Sequence, residues 1–501
     1  MTRAFLLRKI LPMKPTYGIS GMKLYVPPFR VKLEDWCGWT GSSWSKIRSV
    51  VGRSFRIPGR HESLYTMAAN AVLRLIVDYD IDPARVGMLA LGTESSTDNS
   101  AGAVIVKGMV DRALHELGRP GLSRNCEVPE FKHACLGGVY AMKSAARYLA
   151  HDGSGRQAIV VCGDIAEYER GSSGEQTQGA GTVAMLIEED PMLLALNLHQ
   201  AGSAADYRGP DFRKPVRRYT AAPAHPETGK VHDFPMFSGR YSMVCYIDET
   251  LRAVEDMLSR LRVTPRAFFH QIDGVFLHRP YHQMPITAMA ALYTWGLSKS
   301  EVHLGELRQL CQESGVDFDL TLAEMKSLPS LYDAILHGTF DGEIYPLSMK
   351  AVRHFRSTPK FEEVVTKKMS LGAERMMDLG NLYTASLPAW IAAGLEEAAE
   401  IDHDLAGKRF LLIGYGSGDA AESIPVQIAP RWRAAAEKIG FRRALQGNVD
   451  LTQRQYEALH DGKDAGVLGH QPAREFVIDR IGARRETEFQ DAGIEYYRYV
   501  P

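Results

Sequence analysis

The chain has 501 residues, 45% of them hydrophobic and 24% charged, with 59 basic against 60 acidic side chains and a formal net charge of −1. That composition belongs to a globular protein large enough for two core-forming units and excludes general disorder. A chain this close to neutrality has no overall cationic field to hold a phosphate backbone, so nucleic acid is excluded as the expected partner.

The six cysteines, Cys37, Cys126, Cys135, Cys162, Cys245 and Cys311, are dispersed and never form CxxC. The pattern is that of a reducing compartment, with neither a disulfide framework nor a zinc site, and the expected location is cytoplasmic. No apolar run approaches the roughly 18 residues that would span a bilayer. Residues 1–16 are basic and apolar, but Pro12 and Pro15 interrupt them and serine is scarce, so they read as an N-terminal extension rather than a transit peptide.

From there the chain alternates short apolar runs with helix-like stretches, the signature of a layered α/β protein. A helix is predicted over Glu62 to Val77, then a strand over Val86 to Leu91 that hands over to Gly92-Thr93-Glu94. Next come a helix over Gly137 to Ala150 and a strand over Ala158 to Cys162 that ends in Gly163-Asp164. The stretch from Pro210 to Asp233 lacks periodicity and reads as a long surface loop between two halves. A helix from Glu249 to Arg262 follows, then a strand over Val275 to Leu277 ending in His278. The last pair is a helix over Ala389 to Glu400 and a strand over Phe410 to Ile413 that runs into the turn Gly414 to Gly418. The halves are placed at 17–210 and 211–430, with a charged C-terminal appendage at 431–501.

Chemistry collects at the carboxyl ends of strands in such sheets, and four places stand out. Cys135, just ahead of a helix, would gain thiolate character from the aligned peptide dipoles, and Gly137 and Gly138 would let a substrate approach the backbone. A small buried hydrophobe is the alternative for Cys135, and the default for Cys162 and Cys245. Glu94 is a candidate acid/base if partial burial lifts its pKa, with a solvated loop acid or helix cap as the alternative. His278 is a candidate hydrogen-bond donor to a carbonyl, or a satisfied core histidine. The pair His278 and His282 does not read as a metal site, because Pro280 spoils the i, i+4 helical spacing. The Gly414 to Gly418 turn begins too close to the end of the chain for a dinucleotide domain, and better suits backbone N–H groups aimed at an oxyanion.

Ten segments in order carry a resemblance: GISGMKLYVPP, LGTESSTDNS, HACLGG, VVCGDIAEY, TQGAGTVAMLIEED, DFRKP, FSGRYSMVCYID, FLHRPY, GNLYTAS and YGSG. With these the chain, from Tyr17 to Ile428, resembles the hydroxymethylglutaryl-CoA synthase family of the thiolase superfamily. The resemblance implies a five-layered α/β/α/β/α fold of two similar halves, and an acyltransferase that condenses acetyl-CoA with acetoacetyl-CoA, as in the mevalonate route to isoprenoids. It implies Cys135 as acetyl carrier, Glu94 as acid/base, and His278 and Asn381 as holders of the second substrate's carbonyl. Ser417 would contribute to the oxyanion hole together with the Cys135 N–H, and Thr177, Gly179, Asp164, Tyr281 and Ser242 to substrate binding. No cofactor and no metal are implied, and the thioesters are substrates.

Homodimerisation is also implied, as is a possible acyl carrier protein partner. His282-Gln283 stand where animal and fungal relatives have Cys-Lys. That change motivates a second reading, the same chemistry on carrier-bound β-ketoacyl groups as in polyketide β-branching. Gln176 and Arg213 replace a family proline and aromatic residue and bear on the acceptor. A non-catalytic paralogue is a third reading, disfavoured by retention of Glu94, Cys135 and His278.

Overall fold

The computed structural model describes residues 16–214, 234–236, 238–327, 330–340, 342–343 and 345–501. The N-terminal extension, apart from Thr16, and most of the long loop expected at 210–233 lie outside the described residues.

Among the described residues, ten strands form one mixed sheet. In chain order, with the helices that pack on it, the elements are β1 (Tyr17–Tyr25), α1 (Leu64–Asp78), β2 (Val86–Gly92), α2 (Gly102–Glu116), β3 (Glu130–Phe131), α3 (Gly137–Leu149), β4 (Gln157–Ala166), β5 (Gly179–Glu189), β6 (Leu194–Leu196), β7 (Gly202–Ala205), α4 (Arg240–Leu261), β8 (Gly274–Leu277), α5 (Gln283–Leu297), α6 (Ser386–Glu400), β9 (Arg409–Gly416) and β10 (Ala420–Ile428). The strand order is β8-β9-β10-β6-β1-β5-β4-β2-β3, with β7 also on β10.

One arrangement occurs twice. β2 runs parallel to β4, which pairs antiparallel with β5; β8 runs parallel to β9, which pairs antiparallel with β10. In each half the crossover between the parallel strands ends in a helix, α3 or α6. These are the two similar halves, and β6, paired with both β1 and β10, joins their sheets.

The two sheets face each other across the crossover helices. A Cβ on Gly138 of α3 would lie 2.9 Å from the Cβ of Cys162 in β4, and a Cβ on Gly414 of β9 would lie 2.7 Å from Leu136 at the start of α3. On the other side, Gly394 of α6 packs against Phe276 of β8. The side chains of α1 and α2 form a separate core on the outer face of the first sheet, and α4 and α5 cover the second. The result is the five-layered α/β/α/β/α arrangement. Strands covered on both faces need apolar residues at every position, which explains why β2 and β8 are buried throughout and read as unbroken apolar runs.

The strongest difference from the sequence reading is α4, which begins at Arg240 rather than near Glu249. Tyr241, Ser242, Cys245 and Tyr246 are buried at helical spacing, which interleaved Arg240 and Met243 obscure.

Beyond Pro430 the chain folds back on the first half. Val449–Asp450 adds to Phe29–Lys32, and Phe476, in the hairpin of Glu475–Ile481 and Glu495–Val500, enters the core beneath α1. Its N–H donates to Asn70 Oδ1 at 2.8 Å.

A buried ion pair fastens the middle layer to the second sheet: Lys143 of α3 bonds Glu422 of β10, with side chains 6% and 4% exposed. Ser203 Oγ lies 3.1 and 3.0 Å from the two Glu422 oxygens. Removing one member of such a pair strands a charge away from water. Glu422→Ala is therefore expected to destabilise the fold by about 3–5 kcal/mol, read as a lower denaturant midpoint, while the double substitution Lys143→Met with Glu422→Leu recovers most of the loss.

Candidate active site

Cys135 sits one residue before the N-cap of α3, at the carboxyl ends of the β2–β4 pair. The turn that presents it is strained, since Ala134 has φ +40° without being glycine. Phe212 and Tyr383, which pack around Cys135, also have positive φ, at +37° and +46°. Such conformations cost of order 1–3 kcal/mol each and persist only where packing holds them.

Cys135 Sγ lies 3.3 Å from Glu94 Oε2 as donor to carboxylate. On its other side, Cys135 opens on a cavity of about 50 Å³, lined also by Tyr168, Thr177, Phe212, Ser242, His278, Tyr281, Asn381 and Ser417. A volume of that size holds a few water-sized groups. It suits a short acyl chain and excludes a nucleotide.

Tyr168, Phe212 and Tyr383 form a mutual edge-to-face triangle, with centroids 5.7, 6.1 and 6.3 Å apart. These aromatic walls strip water from the site, and the protonation states follow. Burial, reinforced by the Glu94 carboxylate, pushes the Cys135 thiol well above its usual range. The thiolate expected from the helix dipole is thus not the resting form, because desolvation and a facing acid outweigh the dipole. Burial, aided by Asp164, also raises Glu94 to about 8, and burial alone lowers His278 to about 3. His278 is a neutral imidazole that can donate a hydrogen bond, stacked on Tyr415 at 6.3 Å.

Asn381 is fixed on both sides. Its Oδ1 accepts from Tyr383 N at 2.9 Å, its Nδ2 lies 3.4 Å from Tyr168 Oη, and its own N–H donates to Thr177 O at 3.1 Å. The glycine turn serves close approach: a Cβ on Gly416 would fall 2.6 Å from His133 O and 2.9 Å from Leu136 N. This brings Ser417 beside the Cys135 segment. Among the described residues, neither the Cys135 nor the Ser417 N–H donates to a backbone carbonyl.

Three sequence expectations are corrected. Asp164, expected among the substrate contacts, is fully buried and spends both oxygens on six hydrogen bonds: from Thr93 Oγ1, Glu94 N, Ser95 N and Ser95 Oγ to one, and from Thr384 N and Thr384 Oγ1 to the other. Gly179 does not line the cavity; a Cβ there would lie 2.4 Å from Asn381 O, so it lets the Asn381 turn seat. Gly137 and Gly138 admit no substrate either, because Phe131 O and Thr384 O occupy the space a Cβ would need, at 2.7 and 2.8 Å.

Sequence reasoning passed over Tyr168, Phe212, Tyr383 and Tyr415. All four lie inside quoted motifs, but an aromatic residue next to a catalytic one carries no signal of which way its ring faces. The departures at 282 and 283 are absorbed by the fold. Gln283 Nε2 donates to Ser49 O at 3.0 Å and its Oε1 accepts from Arg356 Nη2 at 2.5 Å, while His282 Nδ1 meets Arg279 Nη2 at 2.9 Å.

Two family profiles match the chain, the hydroxymethylglutaryl-coenzyme A synthase N terminal over residues 14–191 and its C terminal over residues 353–463, together more than half of its length. The chain belongs to the hydroxymethylglutaryl-CoA synthase family. Curated hydroxymethylglutaryl-CoA synthases are similar along most of their length. That of Haloferax volcanii is 28% identical over 442 residues, covering 86% of this chain and 89% of its own. That of Enterococcus faecalis is 25% identical over 445 residues, covering 89% and 91%. Among solved structures, MvaS in complex with 3-hydroxy-3-methylglutaryl coenzyme A superposes with a TM-score of 0.75 at 24% identity, covering 98% of this chain and all of that one. The Curacin biosynthetic pathway HMG synthase in complex with holo donor-ACP gives 0.67 at 18%, covering 97% and 100%. Within this synthase-family chain, Glu94 and Cys135 fall in the first matched segment and Asn381 and Ser417 in the second, while His278 lies between them.

A base is active when ionised, so the kcat/KM of the free enzyme should climb with pH up to about 8 on the titration of the Glu94–Cys135 pair. Glu94→Gln should remove that limb and lower the rate by roughly 10²–10⁴-fold. His278, already neutral, should add no limb between pH 5 and 8; a pH–rate profile of wild type and variant checks both.

Proposed function

We propose that the chain condenses acetyl-CoA with acetoacetyl-CoA to hydroxymethylglutaryl-CoA through an acetyl-Cys135 intermediate. The observation that carries this reading is the 3.3 Å contact between Cys135 Sγ and Glu94 Oε2 beside a cavity of acyl size that also holds His278 and Asn381.

In the first step Sγ attacks the carbonyl carbon of acetyl-CoA, the thiol proton passes to Glu94, and the C–S bond to CoA breaks as Glu94 hands that proton to the departing CoA sulfur. The tetrahedral oxyanion accepts hydrogen bonds from the Cys135 and Ser417 N–H groups. Glu94, ionised again, then removes a proton from the acetyl methyl group. The resulting carbon attacks the ketone carbon of acetoacetyl-CoA; its oxygen, held by the neutral His278 and by Asn381, takes the proton back from Glu94 and stays on the product as the tertiary hydroxyl. Water finally hydrolyses the Cys135 thioester, which releases a free carboxylate on the product and restores the thiol. A buried thiol facing an acid of raised pKa suits this cycle, because the raised affinity of Glu94 makes it a better acceptor of the thiol proton.

The carrier-bound reading has one observation in its favour: Gln283 is engaged by Ser49 and Arg356, so this position offers no cation to a CoA phosphate. The same proposal extends to a cytoplasmic homodimer, which light scattering on the purified protein tests.

Incubation with acetyl-CoA should give one acetyl adduct by intact-protein mass spectrometry, lost in Cys135→Ala. Absence of the adduct in the wild type would remove acetyl-CoA as donor. A higher kcat/KM for an acetoacetylated carrier protein than for acetoacetyl-CoA would transfer the acceptor role to the carrier.

A further inference from the structure

Behind the wall of the acyl cavity, across Tyr415 from His278, lies a second group of titratable side chains that the condensation does not use. Asp211 is fully buried and Asp419 is 3% exposed. Ligand atoms of Asp211, Asp419 and Cys245 lie within 4.8 Å of one another. Tyr415 Oη donates to Asp211 Oδ2 at 2.8 Å, and Gly418 N donates to Asp419 Oδ1. The remaining oxygens, Asp211 Oδ1 and Asp419 Oδ2, are buried without a donor.

The nearby cation does not supply one. Arg208 Nε, itself buried without a hydrogen-bond partner, forms an ion pair with Asp419 Oδ2 at 3.9 Å, too long for a hydrogen bond, and its Nη2 is committed at 2.7 Å to both Asp248 and Glu249. Two carboxylates this close in a dry site cannot both stay ionised. A single proton between them satisfies both orphaned oxygens.

We propose that Asp211 and Asp419 share one proton, and that this bond fastens the Phe212 segment to the Ser417 turn, making Asp419 a positioning residue of the acyl cavity. Asp211 immediately precedes Phe212, and Asp419 follows Ser417 by two positions; both neighbours line the cavity. Asp211 holds Tyr415 through its other oxygen, and His278 stacks on Tyr415.

The surrounding charges agree. Burial, then Asp211, raises Asp419 to about 9. From α4, Tyr241 and Cys245 face the pair, and burial pushes both upward so that they stay neutral; from β9, Tyr415 does the same. Around Arg208, Asp206 and Asp248 complete the set, with Glu249 raised to about 7 by burial. An acid whose folded pKa exceeds its unfolded value binds a proton only in the folded chain, so its stabilising effect is lost as pH rises toward 9. Beyond that, two ionised carboxylates repel and the Phe212 segment separates from the turn.

Thermal unfolding of wild type and Asp419→Asn between about pH 6 and about pH 9 tests this. Asparagine is neutral and still donates to Asp211. The Tm of the variant should rise relative to wild type progressively with pH, and amide exchange in residues 206–214 and 415–420, corrected for intrinsic rates, should quicken at the alkaline end in wild type only. A Tm difference that stays constant across the range would overturn the shared proton, as would a divalent metal co-purifying one per chain with the wild type and absent from the variant. Asp211→Asn, which removes the other partner, gives the same reading if Asp419→Asn fails to fold. The proposal rests on the condensing role only for its effect on the cavity. Repeating the melts in Cys135→Ala separates the two, because the linkage persists there even if no acetyl-enzyme forms.

Discussion

Asp164 is the residue on which the geometry of the site depends. A carboxylate with no exposed surface is costly to bury, and its burial raises its own pKa. Six donors offset that cost, and they come from two segments far apart in sequence: the Thr93–Ser95 loop after β2 and Thr384 just before α6. Thr384 Oγ1 also reaches Gly92 O at 3.0 Å. One buried anion thereby fixes the backbone of Glu94 and ties the first half to the segment that carries Asn381 and Tyr383.

The electrostatic character of the site follows first from its walls, with the Glu94 and Asp164 carboxylates adding to their effect. Aromatic rings exclude water, so the Cys135 thiol, the Glu94 carboxyl and the His278 imidazole all shift toward their neutral forms. A dry site of neutral groups strengthens each hydrogen bond made to a developing oxyanion. It also explains why strain gathers here: positive φ at Ala134, Phe212 and Tyr383 aims a nucleophile and two rings at one small space, against the ordinary preference of the backbone.

The C-terminal segment takes part in this construction. Tyr456 Oη donates to Glu175 Oε1 at 2.7 Å and accepts from Gln178 Nε2 at 2.9 Å, while His460 Nε2 meets Tyr168 O at 2.8 Å. Glu175 also accepts from Trp36 Nε1 at 3.1 Å. The loop that carries Tyr168, Gly174 and Thr177 is therefore braced from outside by residues near the end of the chain.

The alternation of apolar runs with helical stretches was enough to reach a layered α/β fold, because strands covered on both faces must be continuously apolar and helices between them must be periodic. The positions of Glu94, His278 and Ser417 were legible for the same reason, since each follows a buried strand and so falls at the reactive edge of a sheet. Tertiary structure alone decided what those groups are chemically. A dipole argument local to Cys135 gives a thiolate, yet the rings of residues 168, 212 and 383 and the acid at 94 reverse it. Asp164 and Gly179 sit in motifs that read as substrate contacts, but hydrogen bonds and close approaches from segments some 200 residues away turn them inward. The pairing of Asp211 with Asp419 is equally invisible in sequence. A residue's type and local period are written in the chain, whereas its dielectric surroundings and its partners exist only once distant segments have packed.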